Sequence, residues 1–507
     1  MTEAVAAIAV PQPAARAGVS IRSLAATLLG LFALDNLLLL HFWGLSLPAT
    51  LGLATAAGAG IWGLSGTFSQ ERARVPTGTI ALALAISLLV YALGGEGRFF
   101  YANTDWQIRD AVLRDMATNP WPYAYDIKGV AHFLRAPLGT YLLPAMFGAG
   151  AEIAMLLSNA LRLTLLLALG WHLFQNTRER AIGLAVFLLF SGWDIVGTAL
   201  YSALGLHRSW DHIEPWNLGY QYSSHITQAF WVPQHAIAGW TCTVTFLLWR
   251  RGIAPIGLFA ASIPLVAIWS PLAIMGAVPF ALLAGWDVLR RRAFYLNDVA
   301  LAALAILIAL PALLYLQIDA DKVGMHLLGT YPPQWLACVA LEVLPFTVPL
   351  LRERESAAKD KPVLRMIQFL LLAMPLVQVG VSADFQMRAS IMPLALLAIL
   401  FAQWICRAIE AKPARTAAVT YAAVAIALGS VTPFLEVRRA LVDGPSPRPL
   451  CSLVGVWDKQ DAEVVPFATY LAPVSKLPAA LRNVPVTAGK SDPEKCWDRK
   501  WVTPTGL

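Results

Sequence analysis

The chain has 507 residues, 58% of them hydrophobic and only 14% charged, with a formal charge of +7 and a mean hydropathy of +0.60. Soluble proteins carry about 25% charged residues, so the composition excludes a soluble globular enzyme and points to an integral membrane protein. Much of the Lys/Arg excess falls in short loops such as 250–251 and 290–292, the pattern that orients membrane helices, so the charge is not read as nucleic-acid affinity.

Residues 1–20 are rich in Ala and Pro and read as a cytosolic N-terminal arm. They are not a cleavable signal, because the next apolar run is long and is followed by another. Apolar runs then predict spans at 21–43, 48–66, 77–95, 151–174, 182–201, 229–249, 254–270, 272–289, 297–316, 335–351, 366–383, 389–408 and 416–435, about thirteen helices. Backbone groups in lipid must be satisfied within the segment, which helices do. The short alternating segments of a β-barrel are absent.

Placing the basic loops in the cytosol leaves the loops 96–150, 202–228, 317–334 and 384–388 outside, together with the C-terminal tail. That sidedness requires 136–150 to be a re-entrant or surface helix. The expected fold is an all-α polytopic membrane protein. A transmembrane domain covers 21–435, and a small extracytoplasmic tail covers 436–507. Cys242, Cys338 and Cys406 lie in apolar runs and read as packing residues. Cys451 and Cys496 lie in the polar tail, where a disulfide forms if the tail is outside the cytosol.

Three polar constellations interrupt the apolar chain. The first is 103–116, NTDWQIRDAVLRDM, with Asp105, Asp110 and Asp115 at five-residue spacing and Arg109 and Arg114 between them. As a helix it sets Trp106, Ile108, Val112, Leu113 and Met116 toward one side. That suits a helix on the membrane surface. Asp105 stands where a carboxylate caps a helix start, and Asp115 reads as part of a solvated face.

The second is the loop 202–235, which holds His207, His212, His225 and His235 of the chain's eight histidines. Trp210, Asp211, Glu214, Trp216, Tyr220, Tyr222 and Trp231 join them. Aromatic faces and polar side chains of this kind suit a carbohydrate. Interfacial enrichment of Trp and Tyr accounts for several of the aromatics. A metal site is a further reading, without a spacing such as HExxH to support it. Gln234 and His235 follow Pro233 at the end of a predicted span and suggest a cavity wall. The third is the short turn before 389, where Asp384 and Arg388 form either an ion pair or, through the guanidinium fork, an anion site. Arg135 is a second basic residue of that type. No Walker A motif, GxGxxG fingerprint or GxSxG elbow is present, so cytosolic nucleotide chemistry has no support.

Many spans, an acidic motif opening a long outer loop, and an outer arginine before a late span resemble the GT-C superfamily of polytopic glycosyltransferases. The resemblance implies a polyprenyl-phosphate-linked sugar as donor and a glycan, lipid or protein as acceptor. Membrane lipids would surround the chain, and no nucleic acid would take part. It implies Asp105, in Thr104-Asp105-Trp106, as the catalytic base, with Asp110 as a second acid. Arg388 would bind the donor phosphate, with Arg135 as a further contact. Trp106, Trp210, Asp211, His212, Glu214, Trp216, Gln234 and His235 would border the substrates. No cofactor is fixed by the resemblance, and a divalent metal stays open. The location implied is a bacterial inner (plasma) membrane, with the site facing the periplasm or exterior. A multi-span transporter or lipid flippase is the competing reading, as is an outer-leaflet polysaccharide polymerase or ligase.

Overall fold

A computed structural model describes residues 18–66, 74–206, 209–217, 219–293, 295–327, 332–353, 357–380, 383–411, 413, 415–460, 470–487 and 496–501. Residues 1–17 of the expected arm, His207 and Ser382 lie outside them.

The chain is mostly helical. In order, the helices are α1 (Ile21–Phe42), α2 (Leu47–Leu64), α3 (Thr77–Leu93), α4 (Asp105–Thr118), α5 (Gly139–Ala145), α6 (Ala151–Gly170) and α7 (Thr177–Leu189). Next come α8 (Asp194–Ala203), α9 (His225–Trp231), α10 (Pro233–Arg250), α11 (Ile256–Leu265), α12 (Pro271–Arg291), α13 (Leu296–Gln317) and α14 (Pro332–Cys338). The last are α15 (Leu344–Arg352), α16 (Ala357–Ala373), α17 (Asp384–Ala389), α18 (Ile391–Glu410), α19 (Thr416–Gly429), α20 (Val431–Val442) and α21 (Leu453–Gln460).

Nine helical stretches among the described residues are long and apolar enough to cross a membrane: Ile21–Phe42, Leu47–Leu64, Gly148–Leu173, Thr177–Ala203, Pro271–Arg291, Leu296–Gln317, Pro332–Arg352, Ile391–Glu410 and Thr416–Val442. The expected span at 366–383 is helical only to Ala373 and then gives way to a 3-10 turn and a short strand at Val377–Val379. The other three are helical but shorter or more polar. The runs at 77–95 and 254–270 form α3 and α11, of 17 and 10 residues. The run at 229–249 breaks into α9 and α10 at Val232, just before Pro233.

Helix α18 is apolar on every side from Ile391 to Ala402 and is buried along that length, as such a helix must be. Helix α10 is equally buried. Its Thr241, Thr243 and Thr245 hydroxyls donate to carbonyls four residues back, at 2.7, 2.9 and 2.8 Å, which satisfies them inside the bundle. Peripheral helices show large apolar side chains outward, such as Leu82, Leu282 and Leu307, the surface expected to face lipid. Deep in the bundle, Asp35 and Arg162 pair at 2.5 Å. Trp269 donates to the same carboxylate at 2.9 Å.

Among the described residues the short strands form three separate sheets. Strands β1 (Gly18–Ser20) and β2 (Arg74–Pro76) form a separate short ribbon. Strands β3 (Ala124–Ile127) and β4 (Val130–Leu134) make a hairpin whose two turn residues, Lys128 and Gly129, both have positive φ, the turn that matches strand twist. Strands β5 (Met325–Leu327) and β6 (Val377–Val379) form a second ribbon. Strands β7 (Leu471–Pro473) and β8 (Val486–Thr487) come from the tail and extend the hairpin to a sheet of order β7-β4-β3-β8. The tail is therefore built into the 96–150 loop. The Cys451–Cys496 disulfide closes it, beside Ala111 and Ile108 of α4.

The segment 136–150 forms the short helix α5 and a 3-10 turn. It packs against α1, α4 and α6 and is too short to span. The predicted helix at 104–118 is present as α4, but it does not lie on a surface. Arg109, Asp110 and Asp115 are buried along with its apolar residues.

Candidate active site

Helix α4 begins differently from the expectation. The Asn103 side chain accepts the Asp105 N–H at 3.1 Å, so Asn103 supplies the cap and Asp105 lies inside the first turn. Its carboxylate is thereby released from the capping role. Two donors, Asn103 Nδ2 at 3.0 Å and Trp106 Nε1 at 2.8 Å, converge on the Phe230 carbonyl. They tie the start of α4 to the end of α9. Trp106 is fully enclosed there and braces the site from behind.

Asp105 is half-buried, and 44% of its side chain stays accessible. Its open side marks the candidate recess. Burial pushes its carboxyl above the usual range, and Arg109 and Arg388 pull against that shift without cancelling it. Arg109 Nη2 stands 3.6 Å from the Asp105 carboxylate. Its other amino group, Nη1, is buried with no hydrogen-bond partner.

Arg388 arrives from α17. That helix is pressed against α12, where Gly276 meets the Ala389 carbonyl so closely that a Cβ would sit 1.9 Å from the oxygen. Arg388 Nη1 pairs with Asp384 at 2.5 Å, so the ion-pair reading of this turn holds. The same guanidinium keeps a buried Nε without a partner. Burial opposes the Arg388 charge, but the Asp384 and Asp105 carboxylates hold it protonated.

Other elements close the recess. His235 lies within electrostatic reach of Arg388 and Arg109, and its Nδ1 meets Ser270 Oγ at 2.7 Å. Gln234 beside it has an unpaired buried Oε1. Tyr470, just before β7, lies within electrostatic reach of Arg388, Asp384, Asp105 and Arg109, and burial raises its phenol. The Tyr470 carbonyl accepts the Arg135 N–H at 2.7 Å, which places Arg135 one strand behind the recess. Desolvation lowers the Arg135 guanidinium from its usual value, against the pull of Tyr315 and Asp319.

The remaining acids of α4 point elsewhere. Asp110 pairs with Arg98 at 3.1 Å, and Arg98 also meets Glu152 at 2.8 Å. Burial pushes the Asp110 carboxyl to about 7, against the Arg98 charge. Asp115 is not on a solvated face. Its Oδ2 accepts from the Leu453 N–H at 2.7 Å and the Tyr125 hydroxyl at 3.0 Å, so it caps the tail helix α21.

The loop 209–217 splits in the same way. Trp210 is exposed, and Asp211 makes only a long contact of 3.8 Å to Arg438. Trp216 is 1% exposed, packs on Tyr201 and donates to Glu342 at 2.7 Å. It has no free face for a sugar. Glu214 is buried and accepts from the Ser224 N–H at 2.7 Å. Burial, then the Asp194 charge, pushes its carboxyl to about 7. His212 stacks on Trp231, with centroids 4.7 Å apart and planes at 18°, and lies within electrostatic reach of Asp105.

Electrostatic reach groups Asp105, His212, His235 and Arg388 of the sequence expectation. Trp106 is enclosed at the start of α4, and Gln234 is placed only as the helical neighbour of His235. The recess does not bring in Asp110, Glu214 or Trp216. Tyr470 and Glu436 were not anticipated. Nothing local marks either: Glu436 sits beside Arg438 and Arg439 just past the last predicted span, and Tyr470 lies in the tail. Among the described residues no group of three His, Cys, Asp or Glu side chains is placed to hold a metal ion, so no step is routed through one. An apolar void lined by Val90, Leu163, Phe187, His225 and Trp240 lies within the helices, and none of the recess residues borders it. No protein-family model, no curated protein and no solved structure matches this chain.

Proposed function

We propose that the protein is a membrane glycosyltransferase. It moves a sugar from a polyprenyl-phosphate donor to an acceptor hydroxyl at the extracytoplasmic face. The observation that carries this reading is the pairing of an accessible carboxylate with two flanking guanidiniums that each keep a buried, unpaired N–H, Arg109 Nη1 and Arg388 Nε. A buried donor without a partner costs about 1–3 kcal/mol, and a phosphate oxygen satisfies it with a charge-assisted bond.

In this reading the chain crosses the membrane about thirteen times. Its N-terminus is cytosolic, and the tail lies outside the bacterial inner (plasma) membrane. The reaction is a single displacement. Asp105 takes the acceptor hydroxyl proton as the oxygen attacks the anomeric carbon. Polyprenyl phosphate departs with the bonding pair, and Arg388 and Arg109 stabilise its charge. Arg135 supports the wall that carries Tyr470. Trp210 and Asp211 border the mouth.

The test is direct. The purified protein in nanodiscs is given a panel of polyprenyl-phosphate-linked hexoses and pentoses with envelope glycan and lipid acceptors, and glycosidic products are sought by mass spectrometry. Product from wild type and its loss in Asp105→Asn support the reading. A transporter reading draws on the buried Asp35–Arg162 pair, since charges inside a membrane often mark a transport path. Movement of donor or solute across the bilayer with no new glycosidic bond would favour it.

A further inference from the structure

His212 is held as few surface-loop histidines are. Its Nδ1 lies 2.8 Å from Glu436 Oε1. Glu436 comes from α20, and its second oxygen accepts from Trp231 Nε1 at 2.9 Å and from Arg439 at 2.7 Å. Two donors therefore fix the carboxylate, and the carboxylate fixes the imidazole. The Trp231 ring beneath sets its plane. A carboxylate only accepts, so Nδ1 carries a proton, and in the uncharged form of the ring Nε2 presents a lone pair. Nε2 has no hydrogen-bond partner among the described residues, and the side chain is 15% exposed.

The dyad lies within electrostatic reach of Asp105. The chain from Phe230 to Trp231 joins the two, because Phe230 receives Asn103 and Trp106 while Trp231 carries His212. The charged groups around the imidazole are Asp105 of α4, Asp194 of α8, Glu214 of its own loop, and Glu436 and Arg439 of α20.

We propose that His212, oriented by Glu436, is a second acid–base residue of the recess, receiving from Asp105 the proton of the acceptor hydroxyl and passing it to solvent. This rests on the glycosyl-transfer reading. The acceptor oxygen forms its bond to the anomeric carbon, and the bond from that carbon to the phosphate oxygen breaks. The electron pair leaves with polyprenyl phosphate. The proton goes to the Asp105 carboxylate, then to Nε2, then to water at the mouth. Asp105 is returned to its ionised form for the next turnover. His212 handles the reacting proton, whereas Glu436 is a positioning residue.

The experiment uses the full-length protein in nanodiscs, with the panel donor that gives the highest wild-type turnover. His212→Ala removes the lone pair but leaves Glu436 with its Trp231 and Arg439 partners, so the fold is expected to persist, checked by the thermal melt. A kcat loss of about 10²-fold is expected, with little change in donor KM. Added imidazole is expected to restore part of that loss, which a purely structural role does not allow. Glu436→Gln is expected to lower kcat less than His212→Ala, because the amide oxygen still accepts from Nδ1. Wild-type kcat in His212→Ala, or a loss that imidazole leaves unchanged, overturns the inference while the transferase reading stands. Absence of any product from wild type overturns both.

Discussion

The Asp115 carboxylate accepts the backbone N–H of Leu453 at 2.7 Å, across 338 residues of chain. One acid in the middle of α4 thereby starts the tail helix α21, and the Tyr125 hydroxyl bonds the same oxygen at 3.0 Å. The tail in turn carries Tyr470 into the recess. Asp115→Ala leaves the buried Leu453 N–H without this acceptor, at a cost of about 1–3 kcal/mol. It also leaves the Tyr125 hydroxyl only its long 3.4 Å contact with Tyr123. Asp115→Asn keeps one acceptor oxygen and is expected to be milder. Thermal melts and limited proteolysis read the effect. Earlier cleavage within 453–487 in Asp115→Ala is expected, and an unchanged digestion pattern would remove Asp115 as the tail's anchor.

Asp105 should control turnover rather than folding. It makes no cap hydrogen bond, and its closest partner, Arg109, is 3.6 Å away. Asp105→Asn is expected to reduce kcat by about 10²–10⁴-fold with a melt close to wild type. Burial raises its carboxyl, so it becomes protonated at a higher pH than an ordinary aspartate. Activity should therefore fall on the acid side at a pH above 3.8, the ordinary value. A pH profile of kcat/KM that stays flat down to that value would count against Asp105 as the base.

The helical architecture was legible because apolar runs of membrane length have few alternatives. The polar sites were legible only as clusters. Asp105 reads in the sequence as a helix cap, but it lies inside the first turn, and its own N–H is accepted by the Asn103 side chain, which the pattern does not reveal. Asp115 was misread because a helical wheel shows which residues share a face, not what covers that face. Its cover is the tail, far along the chain. Glu436 completes His212 from 224 residues away, and Arg162 meets Asp35 from 127 away. Pairings of that separation depend on how helices pack, and a single sequence records no such information.

Asp110 gives a pH test of stability. Burial pushes its folded-state carboxyl from 3.8 to about 7, against the opposing Arg98 charge. The folded protein thus holds more protons than the unfolded chain between those values. Stability falls with rising pH wherever the folded state binds the extra proton. The contribution is full below 3.8 and is lost as pH rises through about 7. Asp115, raised to about 6, acts in the same direction. The wild-type protein is expected to melt lower at pH 8 than at pH 5, and Asp110→Asn should reduce that slope. An identical slope in the variant would show that Asp110 ionises normally.

Arg388 combines two jobs that substitution can separate. Its Nη1 pairs with Asp384 at 2.5 Å, while its Nε is buried and unpaired. Lysine keeps a charge for Asp384 but presents no second donor in a fixed fork. Arg388→Lys is therefore expected to fold, with a thermal melt near wild type, and to lose about tenfold or more in affinity for the phosphate, since one charge-assisted bond contributes roughly 1.5–3 kcal/mol. Arg388→Gln also leaves Asp384 without its cation and should lower the melt as well. Titration of polyprenyl monophosphate into the protein in nanodiscs, followed by native mass spectrometry, reads the first effect without any sugar present. Equal affinity in Arg388→Lys and wild type would mean that Arg388 only closes the turn. Weaker binding at an unchanged melt would place its free Nε on the phosphate.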